Sequence, residues 1–337
     1  MADVLLVSPT SRGIGGVAQH VASLADHLKR RGYRVSLISS ENTPIVQVKG
    51  LKNPSFMLTS GVKALAEKAE VAHAHNLPSA LAMKTSAAGR RVLTLHGVYA
   101  EQIGLLHGGL LGGAVSVLER ALLRWADVLT TVSRQAAEAY RKLGFEATYI
   151  PNAVEVDGDV EPCRLGQPQV VYVGRLSKEK NVEAVLQLAR RIAQATFVIV
   201  GDGPEAARLK AMSKDMNNVF FTGGVSRRKA LQYIKGSDLL VLPSLAEGLS
   251  TVLLEAMALK TPVVATDVGG NTEVVQHMHT GMLVNPGDTE ALAEAVSQLL
   301  HDRRHAEKLA ENAYKTYLEN YSWNVVVPKY LEVYGLE

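Results

Sequence analysis

Cysteine is almost absent: Cys163 is the only one in 337 residues. That excludes an intramolecular disulfide and any structural zinc site built on several thiolates, and a reducing compartment is the simplest setting. No stretch approaches the ~18 consecutive apolar residues of a membrane span. The N-terminus, MADVLLVSP, has no basic segment ahead of its short apolar run, so no signal peptide is expected. A cytoplasmic protein follows. Aromatic residues make up only 5%, and no compact Lys/Arg run has aromatics interleaved, which argues against a nucleic-acid partner. There is also no Asp-X-Asp pair at a strand end and no His/Asp cluster suited to magnesium or manganese. Neither a metal nor a cofactor is expected.

What the chain does have is length for two domains, since one usually takes ~100–200 residues, and a hydrophobic fraction of 47% with 28 glycines, ordinary for a folded α/β protein. Short β-branched runs alternate with helix-period segments, the pattern of parallel strands with covering helices. In the first half the strands are ADVLLVSP, YRVSLISS, EVAHAH, RVLTLHG, ADVLTTVS and ATYIPN, with a helix over 17–31 after the first. The stretch 155–169 is rich in Gly, Pro and Asp without apolar period and reads as a linker. QVVYVGRLS then opens a second series, followed by TFVIVGDGP, NVFFTGGV, DLLVLPS and TPVVATDVGG. The expected fold is therefore α/β, with two Rossmann-like, doubly wound parallel-sheet domains at 1–152 and 153–321. A C-terminal helix within 322–337 is expected to pack back on the first, and the cleft between the domains is the expected ligand site. Residues 1–152 hold 17 Lys/Arg against 10 Asp/Glu. That excess suggests an anionic partner, such as a phosphorylated acceptor or a lipid surface, unless it is merely an uneven surface.

The most informative stretch runs from Leu242 to Val275. Ser250 and Thr251 suit a helix N-terminus, so a helix is expected to begin near Leu249 and to offer its free backbone N–H groups to an anion. Glu247 lies just before that start and Glu255 about one turn inside. They therefore address different parts of an extended ligand instead of forming a close dyad. VGRLSKEKN, after the first strand of the second domain, supplies Gly174 and the cations Arg175 and Lys180, suited to a departing diphosphate whose charge grows as a glycosidic bond breaks. Taken singly, each reading has a rival. The two glutamates also fit solvated charges, the two cations a surface, Gly15 and Gly16 a plain turn, and His96 a satisfied core histidine. Asp202 in GDGP also fits a turn, and Asn152 a cap at the hinge. His73 and His75, alternating along one strand, are read as structural, with at most one able to face a cleft.

Glu247 and Glu255, separated by seven residues within EGLSTVLLEAMA, occur together with GRLSKEKN, GDGP, RGIGGVAQH, LTLHG, TVS and IPN. In their order and spacing these motifs resemble the retaining family 4 glycosyltransferases of GT-B fold, the group of glycogen and sucrose synthases and envelope-lipid mannosyltransferases. The resemblance covers nearly the whole chain. It implies that Glu247 holds hydroxyls of the donor sugar and Glu255 the ribose, with Arg175 and Lys180 on the diphosphate. Leu249, Ser250 and Thr251 would offer backbone N–H groups, and Gly15 and Gly16 would admit the donor closely. His96 would face the sugar from the first domain, and Gly174, Asp202 and Val225 would line the donor site. The implied reaction is hexosyl transfer from a UDP-, GDP- or ADP-sugar to a hydroxyl of a sugar, glycolipid or small metabolite, with retention and without a metal. Closure about residues 152–169 would exclude water. The apolar, glycine-rich stretch from Ile103 to Trp125 is a candidate contact for a lipid-linked acceptor or for the inner face of a membrane, or else packs on its own domain. Two other readings remain: a non-hydrolysing nucleotide-sugar epimerase, and a noncatalytic nucleotide-sugar-binding subunit.

Overall fold

A computed structural model describes residues 2–11, 16–48, 50–97, 117–156 and 158–336. The chain divides into two compact units, Met1–Asn152 with Trp323–Glu337, and Ala153–Ser322.

In the first unit six parallel strands, β1 (Ala2–Ser8), β2 (Val35–Ser39), β3 (Lys68–His75), β4 (Ala87–Leu95), β5 (Val128–Thr131) and β6 (Thr148–Tyr149), line up in the order β2-β1-β3-β4-β5-β6. Val4 to Val7 are completely buried. That is why this run is continuously apolar instead of alternating: helices cover both faces of a parallel sheet. Helix Gly16–Arg30 follows β1 and buries Val21, Leu24, Ala25 and Leu28 on one side. A further helix, Lys52–Ala64, has no counterpart in the sequence expectations. Its stretch KNPSFMLTSGVKA mixes Pro, Gly, Ser and Thr into the pattern, residues that depress intrinsic helix propensity, and its packing through Phe56 and Ala64 overrides them. The terminal helix Trp323–Tyr334 belongs to this unit and buries Trp323, Val326, Val327, Tyr330 and Tyr334.

The second unit repeats the design with β7 (Gln169–Val173), β8 (Thr196–Val200), β9 (Val219–Gly223), β10 (Leu239–Leu242), β11 (Val263–Thr266) and β12 (Met282–Val284), all parallel, in the order β12-β11-β10-β7-β8-β9. The three-residue β12 is too short to stand out in sequence. From β7 the sheet grows in one direction through β8 and β9, and in the other through β10, β11 and β12. The order reverses between β7 and β10, and at such a switch point the loops after the two strands part and leave a crevice at their carboxyl ends.

Candidate donor site

The loops after β7 and β10 carry the residues that the sequence singles out. Gly174 follows β7, its N–H donating to the Val200 carbonyl at 2.9 Å. Arg175 follows and is exposed, and among the described residues its side chain has no hydrogen-bond or ion-pair partner. The loop beneath it is held by the buried Tyr172, whose hydroxyl donates to the Arg175 carbonyl at 3.0 Å. Burial, then the charges of Glu247 and Glu179, pushes that phenol far above its ordinary value, so it stays a donor. A 3-10 turn, Lys178–Lys180, brings Lys180 back toward β10, and the Leu245 N–H donates to the Glu179 carbonyl at 2.7 Å, locking the two loops together.

Lys180 Nζ donates to Glu247 Oε1 at 2.6 Å, and Ser244 Oγ donates to the same oxygen at 2.7 Å. The Glu247 side chain is 6% exposed and that of Lys180 23%. The structure thus joins two residues given separate roles by the sequence into one ion pair, and adds Ser244, which sequence reasoning missed. The Glu247 loop is also fixed from below by Gly269 and Gly270. Gly269 has φ +50°, and a Cβ there would strike the Glu247 carbonyl, while one on Gly270 would strike that of Gly248. The Gly270 N–H donates to the Gly248 carbonyl at 2.6 Å. Only glycine permits this backbone-on-backbone approach.

Helix Thr251–Ala258 begins two residues later than expected, with Ser250 at its N-cap making no side-chain cap bond. Leu249 and Ser250 are buried. The first N–H groups of the helix have no partner within it, and they open where the Glu247 loop ends. Glu255, on the fifth residue, is buried and accepts from Arg227 Nε at 2.7 Å. Burial raises its carboxyl above the usual range, and Arg227 opposes that rise. Arg227 was also missed in the sequence. The available signal was its place just after the end of β9, where doubly wound sheets put ligand-facing residues. Val225 lies half-buried in the same connection. Asp202 is exposed and its Oδ1 accepts from the Gly203 N–H at 2.7 Å, so its carboxylate shapes the GDGP turn.

In the first unit, Gly16 opens helix Gly16–Arg30, while Gly15 lies outside the described residues, as does 103–116 of the apolar stretch. The rest of that stretch is helical over 117–123. Leu122 and Leu123 enter the core, and Trp125 packs against it. His96 sits among three other histidines. His75 Nδ1 and His96 Nε2 are 3.2 Å apart. His73 bridges Thr94 Oγ1 and the Tyr334 hydroxyl, both at 2.6 Å, and His20 Nε2 meets the Tyr330 hydroxyl at 3.0 Å. The expectation that at most one of His73 and His75 could face a cleft supposed that they point to opposite sides of the strand, and that premise is corrected. Residues i and i+2 of a strand share a face, and these rings lie side by side with centroids 4.2 Å apart and planes tilted by 41°, both fully buried. Burial pushes His73 down to about 3 and His96 down to about 4, and it holds His20 and His75 well below the ordinary imidazole value. At neutral pH the cluster is uncharged, and it fastens the terminal helix through Tyr330 and Tyr334.

Comparison with known proteins agrees with this architecture. Residues 14–157 match the model of Glycosyltransferase Family 4, and residues 158–316 that of Glycosyl transferases group 1. TuaC of Bacillus subtilis, a glycosyltransferase assigned to teichuronic acid biosynthesis, is 33% identical over 73% of this chain and 65% of its own length, so the chain spans just under two thirds of that relative. Sucrose-phosphate synthase from Thermosynechococcus elongatus superposes with a TM-score of 0.84 at 21% identity, covering 99% of this chain and 98% of that one. Anabaena HepE, solved in complex with UDP-glucose, gives 0.75 at 18% identity over 98% and 99%. At those identities the two structures speak to the fold alone. With both of its sheets matched in this way and both halves assigned to glycosyltransferase models, the chain belongs to the family 4 glycosyltransferases of GT-B fold.

Proposed function

We propose that the chain transfers a hexose from a nucleoside diphosphate sugar to an acceptor hydroxyl, with retention at the anomeric carbon. The observation that carries this reading is the grouping at the switch point of the second unit: the Lys180–Glu247 pair, the exposed Arg175 and the start of helix Thr251–Ala258, all at the ends of β7 and β10. Arg175, Lys180 and the helix N–H groups together make a cradle for a diphosphate. Glu247, pinned by two donors, has its second oxygen for hydroxyls of the donor sugar, and Glu255 serves the ribose.

In the step itself the bond from the anomeric carbon to the diphosphate oxygen breaks, with both electrons leaving on that oxygen. Arg175, Lys180 and the helix terminus stabilise the growing charge. The acceptor oxygen attacks from the same face, and its proton passes to the departing phosphate. On this reading the cations carry the charge compensation that a metal supplies elsewhere. HepE was solved with UDP-glucose, which supports a nucleotide-sugar donor here.

The proposed acceptor is carried at a membrane surface. No described helix is long and apolar enough to cross a bilayer. Yet every exposed residue from Pro54 to Ala66 is apolar, including Leu58, Val62 and Leu65, with Leu51 just before and Lys52 and Lys63 alongside. An apolar helix face with flanking cations, in a unit carrying excess positive charge, suits the interface of an anionic bilayer.

Thermal-shift titration with UDP, GDP and ADP and their sugars tests the donor reading, because a ligand bound to the native state raises Tm by mass action. One nucleotide series should stabilise the protein, and Glu247→Gln should diminish the shift from the sugar nucleotide more than that from the free diphosphate. Absence of any shift at millimolar concentration would overturn it.

A further inference from the structure

Arg227 stands at the first position of helix Arg227–Lys235, where Ser226 caps the start by accepting from the Lys229 N–H at 3.3 Å. That helix packs on helix Thr251–Ala258, so the guanidinium reaches the buried Glu255. One arm, Nε, donates to Glu255 Oε1 at 2.7 Å; the other, Nη2, donates to the Glu155 carbonyl at 2.8 Å. Oε2 of Glu255 has no hydrogen bond among the described residues. Of the lysines nearby, Lys229 donates to Cys163 Sγ, Lys235 to the Leu259 carbonyl, and Lys260 pairs with Glu311. A planar guanidinium held at two points fixes the plane of the carboxylate it grips, which a flexible ammonium does not.

We propose that Arg227 is a positioning residue for the donor nucleotide: it aims Glu255 so that Oε2 accepts from the donor's hydroxyls, and it ties that grip to the backbone at Glu155. The proposal rests on the reading of Glu255 as the ribose contact. Burial raises the Glu255 carboxyl and Arg227 opposes that rise, so without the guanidinium the carboxyl is raised further and holds its proton to higher pH. A protonated carboxyl accepts more weakly, so nucleotide affinity becomes pH-dependent, recovering as pH rises and Glu255 ionises.

The experiment is calorimetric titration of UDP and of GDP into the full chain between pH 6 and 9, for wild type, Glu255→Gln, Arg227→Gln, Arg227→Lys and the double glutamine variant. The better-binding nucleotide is followed, and circular dichroism and melting verify each fold. The loss of a charge-assisted hydrogen bond makes Arg227→Gln bind about tenfold or more weakly at pH 6–7, with recovery toward pH 9 against a flat wild-type profile. The double variant is weak and flat. Arg227→Lys keeps the charge and loses the fork, and binds severalfold more weakly without pH dependence. Wild-type affinity in Glu255→Gln would overturn the ribose assignment itself. A weakened Glu255→Gln alongside wild-type affinity in Arg227→Gln, or a loss there that does not vary with pH, would overturn the role of Arg227. Should Arg227→Gln not fold, wild-type affinity in Arg227→Lys would overturn it equally.

Discussion

Replacing Lys180 with methionine should damage both stability and turnover. The ammonium lies 2.6 Å from a carboxylate whose side chain is 6% exposed, and Ser244 is the other donor to the same oxygen. Removing one partner of a buried pair costs ~3–5 kcal/mol because the remaining charge is left uncompensated. Lys180 is partly solvated, and water enters where it leaves, so the expected loss is about 2–3 kcal/mol. Glu247→Gln keeps the oxygen that accepts from Ser244 and should cost about 1 kcal/mol. Because the two residues share one bond, the double variant should fall short of the sum by about 1–2 kcal/mol, the signature of direct coupling. Turnover is affected separately: the loss of one fixed charge at a developing anion lowers kcat by about 10²–10³-fold. Urea denaturation of the four species gives the coupling, and release of nucleoside diphosphate from the stabilising donor gives kcat. Additive stabilities would show that the pair is not coupled in solution. Turnover of Lys180→Met within about threefold of wild type would remove Lys180 from the charge-bearing groups.

The histidine cluster makes the first unit acid-sensitive. Depressed imidazole values mean that the unfolded chain binds more protons below its ordinary pKa, so the contribution is complete above pH 6.5 and is lost as pH falls, through about 4 for His96 and about 3 for His73. Melting temperature followed from pH 7.5 to 4.5 should decline steeply, and His73→Gln should flatten the slope while lowering the value at neutral pH; an unchanged slope would speak against the cluster. Gly270→Ala forces a Cβ against the Gly248 carbonyl and should cost about 1–3 kcal/mol together with most donor affinity, measured by melting and titration; wild-type behaviour in both would contradict the close backbone approach. Leu58→Glu and Val62→Glu on the exposed helix face should abolish co-sedimentation with vesicles containing anionic lipid while leaving melting temperature within about 1 kcal/mol equivalent of wild type, and retained sedimentation would refute the membrane face.

Much of the architecture was readable because parallel strands buried on both faces announce themselves as unbroken apolar runs: LLV in β1, VVYV in β7 and LLVL in β10 each lie where the sequence implies. Helix Lys52–Ala64 was not readable, since Asn53, Pro54, Ser55, Thr59, Ser60 and Gly61 interrupt its good helix formers and tertiary contacts through Phe56 decide the matter. At the site, the positions of Glu247, Lys180 and Arg175 followed from motif spacing, but their pairing did not. Lys180 and Glu247 are 67 residues apart, and only the adjacency of β7 and β10 in the sheet brings them within bonding distance. The same holds for Arg227 and Glu255, whose contact depends on two helices packing. The fate of the histidines required knowing that the last helix returns to the first unit, because the Tyr330 and Tyr334 hydroxyls complete their hydrogen bonding.

That return has a consequence for how the gene can be rearranged. The chain passes from the first unit to the second after Asn152 and back after Ser322, and inside the second unit Val154 and Ser322 form a parallel bridge. The second unit is therefore an insertion whose two ends lie side by side. If it holds the donor as proposed, it can be lifted out as one cassette of coding sequence and exchanged for that of a relative, and a change of nucleotide preference should follow, while the histidine-fastened half keeps its own core.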